Sequence, residues 1–352
     1  MDKLNDDCLE LILERVKSLR DLKNVCLVCK KWKEIGYKCK LWRRVPVSMT
    51  VSWITPSCSI LASLAERRIT QLRVLTVDVR VFQNTATAFL HHMAQQLSKV
   101  LQNLSSSLRV LDLNSCSLDD QQLEAVFNVE MPGLEHLIMP SHCSYASLGS
   151  ISRFCPKLQK LVTNAEMPAY MIEVIGRNLP DLREMTTRST PYYDDENVSR
   201  FPRYMPNLEQ IKLRCIEHLS TDGLAPLAQM HSLRSLCLCC VKGFSEDFIR
   251  FFADSPLRKL SLFRCKDVNS DGMLIAIGRY RVPLEMVELE GGQLVTINGI
   301  EGLLRNTPNP IRILSGFSTY YIQRDNAVRE LLEQHCPQWE KKYPDSKMSL
   351  WF

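Results

Sequence analysis

Residues 233–241, Leu-Arg-Ser-Leu-Cys-Leu-Cys-Cys-Val, and residues 257–265, Leu-Arg-Lys-Leu-Ser-Leu-Phe-Arg-Cys, carry one pattern, Leu-x-x-Leu-x-Leu, 24 residues apart. Clean copies also open at Leu108 and Leu208, and weaker ones at Leu72, Leu134, Leu158, Leu182, Leu284 and Ile311. From Leu108 onward the starts fall at 108, 134, 158, 182, 208, 233, 257, 284 and 311. Self-similarity at a period of about 20–29 residues signals a stacked array of one supersecondary unit. No such unit buries its apolar face alone, so neighbours stack into one continuous core. Arrays of this kind present surfaces, which points to a binding protein and not to an enzyme.

Within each unit the alternation of a strand sends Leu111 and Leu113 inward together and Val110, Asp112 and Asn114 outward. Cys116, Cys215 and Cys265 follow where the backbone turns inward, each a small apolar filler. Asp119-Asp120, Ser245-Glu246-Asp247 and Ser270-Asp271 then read as polar caps ahead of amphipathic helices. Proline stands one or two residues before the opening leucine at positions 132, 156, 180, 206, 256, 283 and 310. Lacking a backbone donor and biasing its predecessor away from helix, it ends one helix and starts the next extended segment. The expected fold class is α/β, a leucine-rich-repeat solenoid with parallel strands on the concave face and helices on the convex face. The organisation read from these patterns is 1–44, a helical segment; 45–107, irregular repeats and cap; 108–317, regular repeats; and 318–352, a capping repeat and tail.

Charge is unevenly placed. Lys and Arg number 44 against 39 Asp and Glu, and residues 1–44 hold 12 of the former and 7 of the latter, which leaves the repeats neutral. A nucleic-acid reader presents a basic stripe, so none is expected as partner. The residues Met1–Cys8 hold no apolar run of signal-peptide type, and no stretch approaches the ~18 apolar residues of a membrane span. With most of the 14 cysteines at apolar repeat positions, the expectation is a reduced chain in the cytoplasm or nucleus, away from membranes.

The first 44 residues follow another period. Leu9, Ile12, Leu13 and Val16 form one helical stripe, and Leu22, Val25, Cys26, Cys29 and Trp32 a second, capped by Asp21, before a cluster at Leu41-Trp42. So short a segment cannot enclose a self-sufficient core. Exposure of Val28, Leu4 and Leu19 then leaves an apolar surface in need of a partner. The ordered set Leu4-Asn5-Asp6-Asp7-Cys8-Leu9, Ile12-Leu13, Asp21-Leu22, Val28-Cys29-Lys30-x-Trp32 and Leu41-Trp42 resembles the F-box motif, with Asn5 where that family has proline. Joined to the repeats, the chain resembles the F-box/leucine-rich-repeat proteins. The resemblance implies a three-helix F-box that docks on the Skp adaptor and through it on a cullin ubiquitin ligase, while the repeats hold a protein substrate. It implies no catalysis and no cofactor. Leu4, Leu9, Ile12, Leu13, Leu22, Val28, Trp32 and Leu41 become the adaptor-facing or adaptor-supporting positions. The rival reading is a repeat scaffold or inhibitor without a link to ubiquitination.

Outward strand positions supply the candidate substrate residues: Arg188, Lys212, Arg214 and Lys259, with Phe263 among them and Arg264 at the following turn. Met286, Glu288 and Glu290 reverse the sign, and Ile313 and Phe317 follow. The basic patch fits an acidic or phosphorylated segment, although opposite signs on neighbouring strands also stabilise one another. The spacings Cys26-x-x-Cys29 and Cys237-x-x-Cys240 lack the second pair of a structural zinc site. His91-His92 and Asp194-Asp195-Glu196 read as solvated surface, the latter as a loop or helix start. The apolar end Ser349-Leu350-Trp351-Phe352 is expected to fold onto the last repeat, the alternative being a short peptide motif for another protein.

Overall fold

The computed structural model describes residues 4–13, 15–16, 21, 24–38, 47–51, 69–76, 86–116, 118–140, 143–165, 167–187, 194–214, 218–242, 245–265, 267–290, 295–305, 312–315 and 350–351. The chain divides into two compact units, Met1–Thr163 and Asn164–Phe352. In the first, β1 (Val47–Val51), β2 (Gln71–Thr76), β3 (Val110–Ser115), β4 (His136–Ile138) and β5 (Lys160–Thr163) pair in chain order, all parallel. In the second, β6 (Glu184–Thr187), β7 (Gln210–Arg214), β8 (Ser235–Cys239), β9 (Lys259–Phe263), β10 (Met286–Glu290) and β11 (Arg312–Ser315) do the same. From β2 to β11 helical segments alternate with the strands, as the repeat pattern predicts: parallel neighbours need a crossover, and each helix supplies it. The tail strand β12 (Leu350–Trp351) pairs antiparallel with β11, covering a sheet edge that would otherwise offer unpaired backbone groups.

The period of the sequence is the register of the sheet. Leu236, Leu260 and Val287 are side-by-side partners on β8, β9 and β10 and are fully buried. The proline punctuation works as a turn. The carbonyls of Met131, Cys155, Leu179 and Met205 accept from the amides of Leu134, Leu158, Leu182 and Leu208 at 3.1–3.2 Å, with proline second in each turn. The residue before proline leaves the helix, at φ −126°, ψ 58° for Cys155 and φ −132°, ψ 54° for Met205. At the last strand the register departs from the leucine pattern: Ile313 pairs with core-facing Val287, not with outward Met286, whose partner is Arg312. The leucine pattern sets Leu314 beside Val287, and the observed pairing of Leu314 with Glu288 is offset from it by one residue.

Helix starts follow the sequence in part. Asp119 caps Asp120–Val126 through a capping box with Gln122. Asn269, not Ser270, caps Ser270–Arg279, with Oδ1 accepting from Gly272 N at 2.8 Å. Glu246–Phe252 is a 3-10 helix without a side-chain cap, where Ser245 had pointed to an ordinary amphipathic helix. Four of its seven residues are Phe or Ile, which lose rotamer freedom in an α-helix. Asp194 and Asn197 form another capping box, so the acidic run at 194–196 is a helix start.

Acidic side chains in the first turns also tie neighbouring repeats. Asp120 Oδ1 accepts from Ser144 N at 3.0 Å and Ser147 Oγ at 2.5 Å. Asp195 accepts from Ser220 N at 2.8 Å and Oγ at 2.6 Å. Asp271 accepts from Thr296 N at 2.7 Å and Oγ1 at 2.5 Å. The partial burial of Asp120 raises its pKa, but the bonds from Ser147 and Ser144 outweigh that and hold it below 3.8. A depressed carboxylate stabilises the fold above its unfolded pKa and loses that contribution as pH falls through the folded value. Asp120→Asn is therefore expected to lower the urea midpoint at neutral pH, and the gap to wild type should narrow as the pH falls through the depressed folded pKa of Asp120. A gap that does not narrow with acidification contradicts the assignment.

Candidate docking surfaces

Near the N-terminus, the helix Asp6–Leu13 is opened by Asn5, whose Oδ1 accepts from Cys8 N at 2.8 Å while its carbonyl accepts from Leu9 N at 3.1 Å. Asparagine thus caps the first turn with a bond that proline has no side chain to make. Leu9 and Leu13, one helical turn apart, are buried, facing the helix Lys30–Lys38 that packs against them. Lys31 Nζ donates to the Leu4 carbonyl at 2.9 Å and pairs with Asp6 at 3.0 Å, which brings residues 4–6 beside the start of that second helix. On the outside remain Leu4, Leu11, Ile12, Leu27 and Val28, exposed by 39, 63, 45, 82 and 54%. Five large apolar side chains in some 25 residues are far from the scattered single exposures of an ordinary surface.

The second stripe does not run as one helix from Leu22 to Trp32. Leu27 N and Val28 N bond back three residues, to Asn24 and Val25, so residues 26–28 are a turn, and Trp32 belongs to the helix Lys30–Lys38. The run Val-Cys-Leu-Val-Cys is rich in residues of low helix propensity. That break is what pushes Leu27 and Val28 outward.

A second surface lies on unit 2. The outward positions of β7 to β10 register as rows: Gln210, Ser235, Lys259, Met286; then Lys212, Cys237, Ser261, Glu288; then Arg214, Cys239, Phe263, Glu290. β8 presents only short side chains, and the longer ones of β7 lean over it. Lys212 Nζ stands 5.5 Å from the centre of the Phe263 ring, two strands away, a cation–π contact across Cys237. The Arg214 charge lies near Cys239 and lowers its pKa, against the larger raising effect of burial. Lys259 Nζ pairs with Glu288 at 2.8 Å, and Ser261 Oγ donates to the other Glu288 oxygen at 2.5 Å. Among the described residues no carboxylate pairs with Lys212, Arg214 or Arg264. Two turn residues at one repeat position, Cys240 and Arg264, have left-handed φ of 56° and 53°. They are fixed by amide bonds to the carbonyls of Phe263 at 2.7 Å and Glu290 at 2.6 Å.

Burial raises the thiols, with Cys237 and Cys265 pushed up to about 11 and Cys116 and Cys155 to about 12. At neutral pH all four are protonated and pack as small apolar groups. Among the described residues no three His, Cys, Asp or Glu side chains cluster as metal ligands, and no helix is long and apolar enough to cross a membrane.

Residues 3–46 match the family model described as F-box-like. The chain thus opens with an F-box-like domain, followed by a parallel-strand repeat region. Among solved structures, the chain is similar to one described as the crystal structure of Rad7 and Elc1 complex in yeast, at 17% identity and a TM-score of 0.39, covering 75% of this chain and 73% of that one. No curated protein matches the chain in sequence. Of the expected adaptor positions, Leu4, Ile12 and Val28 lie on the outer surface of the F-box-like domain, Trp32 is half-buried, and Leu9 and Leu13 stand behind them. Leu22 and Leu41 fall outside the described residues, as does Arg188 among the substrate candidates. Leu11 and Leu27 escaped the sequence reading. An exposed leucine inside a capped helix and another in a turn have no period to betray them.

Proposed function

We propose that this protein is the substrate-recognition subunit of a Skp–cullin–F-box ubiquitin ligase, non-catalytic itself. The carrying observation is the apolar outer surface of the F-box-like domain. Leu4, Leu11, Ile12, Leu27 and Val28, 39 to 82% exposed, each gain on burial against the Skp adaptor the exposed share of the ~1.5–3 kcal/mol that full burial contributes. Leu9, Leu13 and Trp32 hold that surface in place. The excess of Lys and Arg over residues 1–44 steers an acidic adaptor toward it. The repeats supply the opposite function, a long sheet face with polar and aromatic side chains that binds a protein substrate. Ubiquitin transfer belongs to the conjugating enzyme, and this chain supplies proximity by joining two binding sites in one molecule. The site of action in this reading is the cytoplasm or nucleus.

The test is reconstitution. Cells are depleted of the chain, proteins that accumulate are collected, and each is assayed in vitro with the adaptor, the cullin scaffold, a conjugating enzyme and this chain. The expected result is at least one protein that binds the repeats and is ubiquitinated only when the F-box-like domain is present. If such a protein binds the repeats but its modification and abundance are indifferent to the F-box-like domain, the chain is a scaffold.

A further inference from the structure

Neighbouring residues of a strand send their side chains to opposite faces. At the end of β8 two adjacent thiols escape that rule. Cys240, the residue after the strand, has a left-handed φ of 56°, a conformation uncommon outside glycine, and its amide donates to the Phe263 carbonyl at 2.7 Å. The turn brings its side chain beside that of Cys239, and the two sulfurs lie 3.6 Å apart. Cys240 is half-buried and meets solvent, while Cys239 is 6% exposed. Two further thiols stand near without joining the pair. Cys237 lies two residues back along β8, about 6.6 Å of strand away, where the contact of Lys212 with the Phe263 ring passes across it. Cys265 is buried, and its thiol donates to the carbonyls of Leu238 and Phe263 at 3.6 Å.

We infer that Cys239 and Cys240 form a dithiol site that chelates a trivalent arsenical. Two other uses of a thiol pair fit the geometry less well. A disulfide joins sulfurs about 2.05 Å apart and usually spans Cα atoms about 4.4–6.8 Å apart, whereas Cα atoms across one trans peptide stand only about 3.8 Å apart. A structural zinc ion takes four ligands, and among the described residues no third His, Cys, Asp or Glu joins these two as a metal ligand. A shared bridging atom meets neither obstacle. Sulfurs each about 2.3 Å from a tetrahedral centre stand about 3.8 Å apart, and the narrower angle of a pyramidal centre brings them slightly closer, towards the observed separation. The step is a condensation: an arsenical with two hydroxyls on arsenic exchanges both As–O bonds for As–S bonds. Each thiol proton leaves with a hydroxyl as water, and nothing is oxidised or reduced. The pair therefore reacts without first becoming thiolates, which suits Cys239, whose pKa is raised by burial and by its hydrogen bond with Cys240. Cys240, the thiol that meets solvent, takes the arsenic first, and Cys239 closes the ring. The bound group then sits at the open sheet face, in the row where Cys239 lies between Arg214 and Phe263.

The test uses the reduced full chain and phenylarsine oxide, whose hydrated form carries the two hydroxyls. Excess reagent is removed, the protein is digested with trypsin without added thiol, and mass spectrometry locates the adduct. Cleavage after Arg234 and Lys242 isolates residues 235–242. One arsenic is expected on that peptide, released by a small dithiol and retained against the same concentration of a monothiol. Cys240→Ser is expected to lower the occupancy tenfold or more, and Cys239→Ser likewise, while Cys237→Ser and Cys265→Ser leave it within twofold. Circular dichroism melting verifies that each variant is folded, and the half-buried Cys240→Ser serves alone if the Cys239 variant is not. An adduct that survives Cys240→Ser, or one placed outside residues 235–242 in the wild type, overturns the assignment. Hydrogen peroxide supplies the remaining comparison: if it joins the two sulfurs as a disulfide at or below the arsenical concentration that fills the site, the pair is a redox couple and the assignment also falls.

Discussion

Ile12→Asp combined with Val28→Asp abolishes capture of the Skp adaptor, with Kd rising at least 100-fold in titration calorimetry while the melting of the repeats is unchanged. Both side chains are about half exposed, so the free protein tolerates the carboxylates in water. In a docked interface each would be desolvated without a partner, at a cost of several kcal/mol, on top of the apolar burial lost. A factor of 100 requires only ~2.8 kcal/mol. Position 9 behaves otherwise: Leu9 is buried behind the surface, and its replacement acts by loosening the helix Asp6–Leu13 against Lys30–Lys38. Capture undiminished in the double variant would remove the docking surface from the account.

Phe248→Ala destabilises unit 2 by ~3–5 kcal/mol, read as a shift in urea midpoint at constant slope, without weakening adaptor capture. Phe248 is fully buried, and its ring meets Phe252 edge-on with centroids 6.2 Å apart. Truncation leaves a cavity the short 3-10 segment Glu246–Phe252 cannot close, and the edge-to-face contact is lost with it. Because each repeat leans on its neighbours, the damage spreads along the array. Adaptor capture by a protein with melted repeats is the sign of modularity. Loss of capture in parallel with unit 2 would show that the F-box-like domain depends on the repeats.

The regular repeats were legible because their signal is multiplied. Any single Leu-x-x-Leu-x-Leu is weak, but nine starts in near register leave few other folds, and proline before seven of them marks where helix gives way to strand. The F-box-like domain was legible as an ordered set of residues. What escaped is what depends on one local competition. The break at residues 26–28 arises from low helix propensity inside an apparently continuous stripe, and it hid Leu27. The offset at Ile313 arises where the last strand pairs by backbone register and not by its leucines. On the open face, the sequence listed charges without their pairings. Lys259 looked equivalent to Lys212 until Glu288 was found beside one and the Phe263 ring beside the other.

Hydrogen–deuterium exchange of the full chain with and without the Skp adaptor tests the central claim most directly. Adaptor binding is expected to slow exchange across residues 9–13 and 26–35 and to leave the strands β7 to β10 at their free rates. Protection confined to the repeats, or no change over those two N-terminal segments at saturating adaptor, would contradict it.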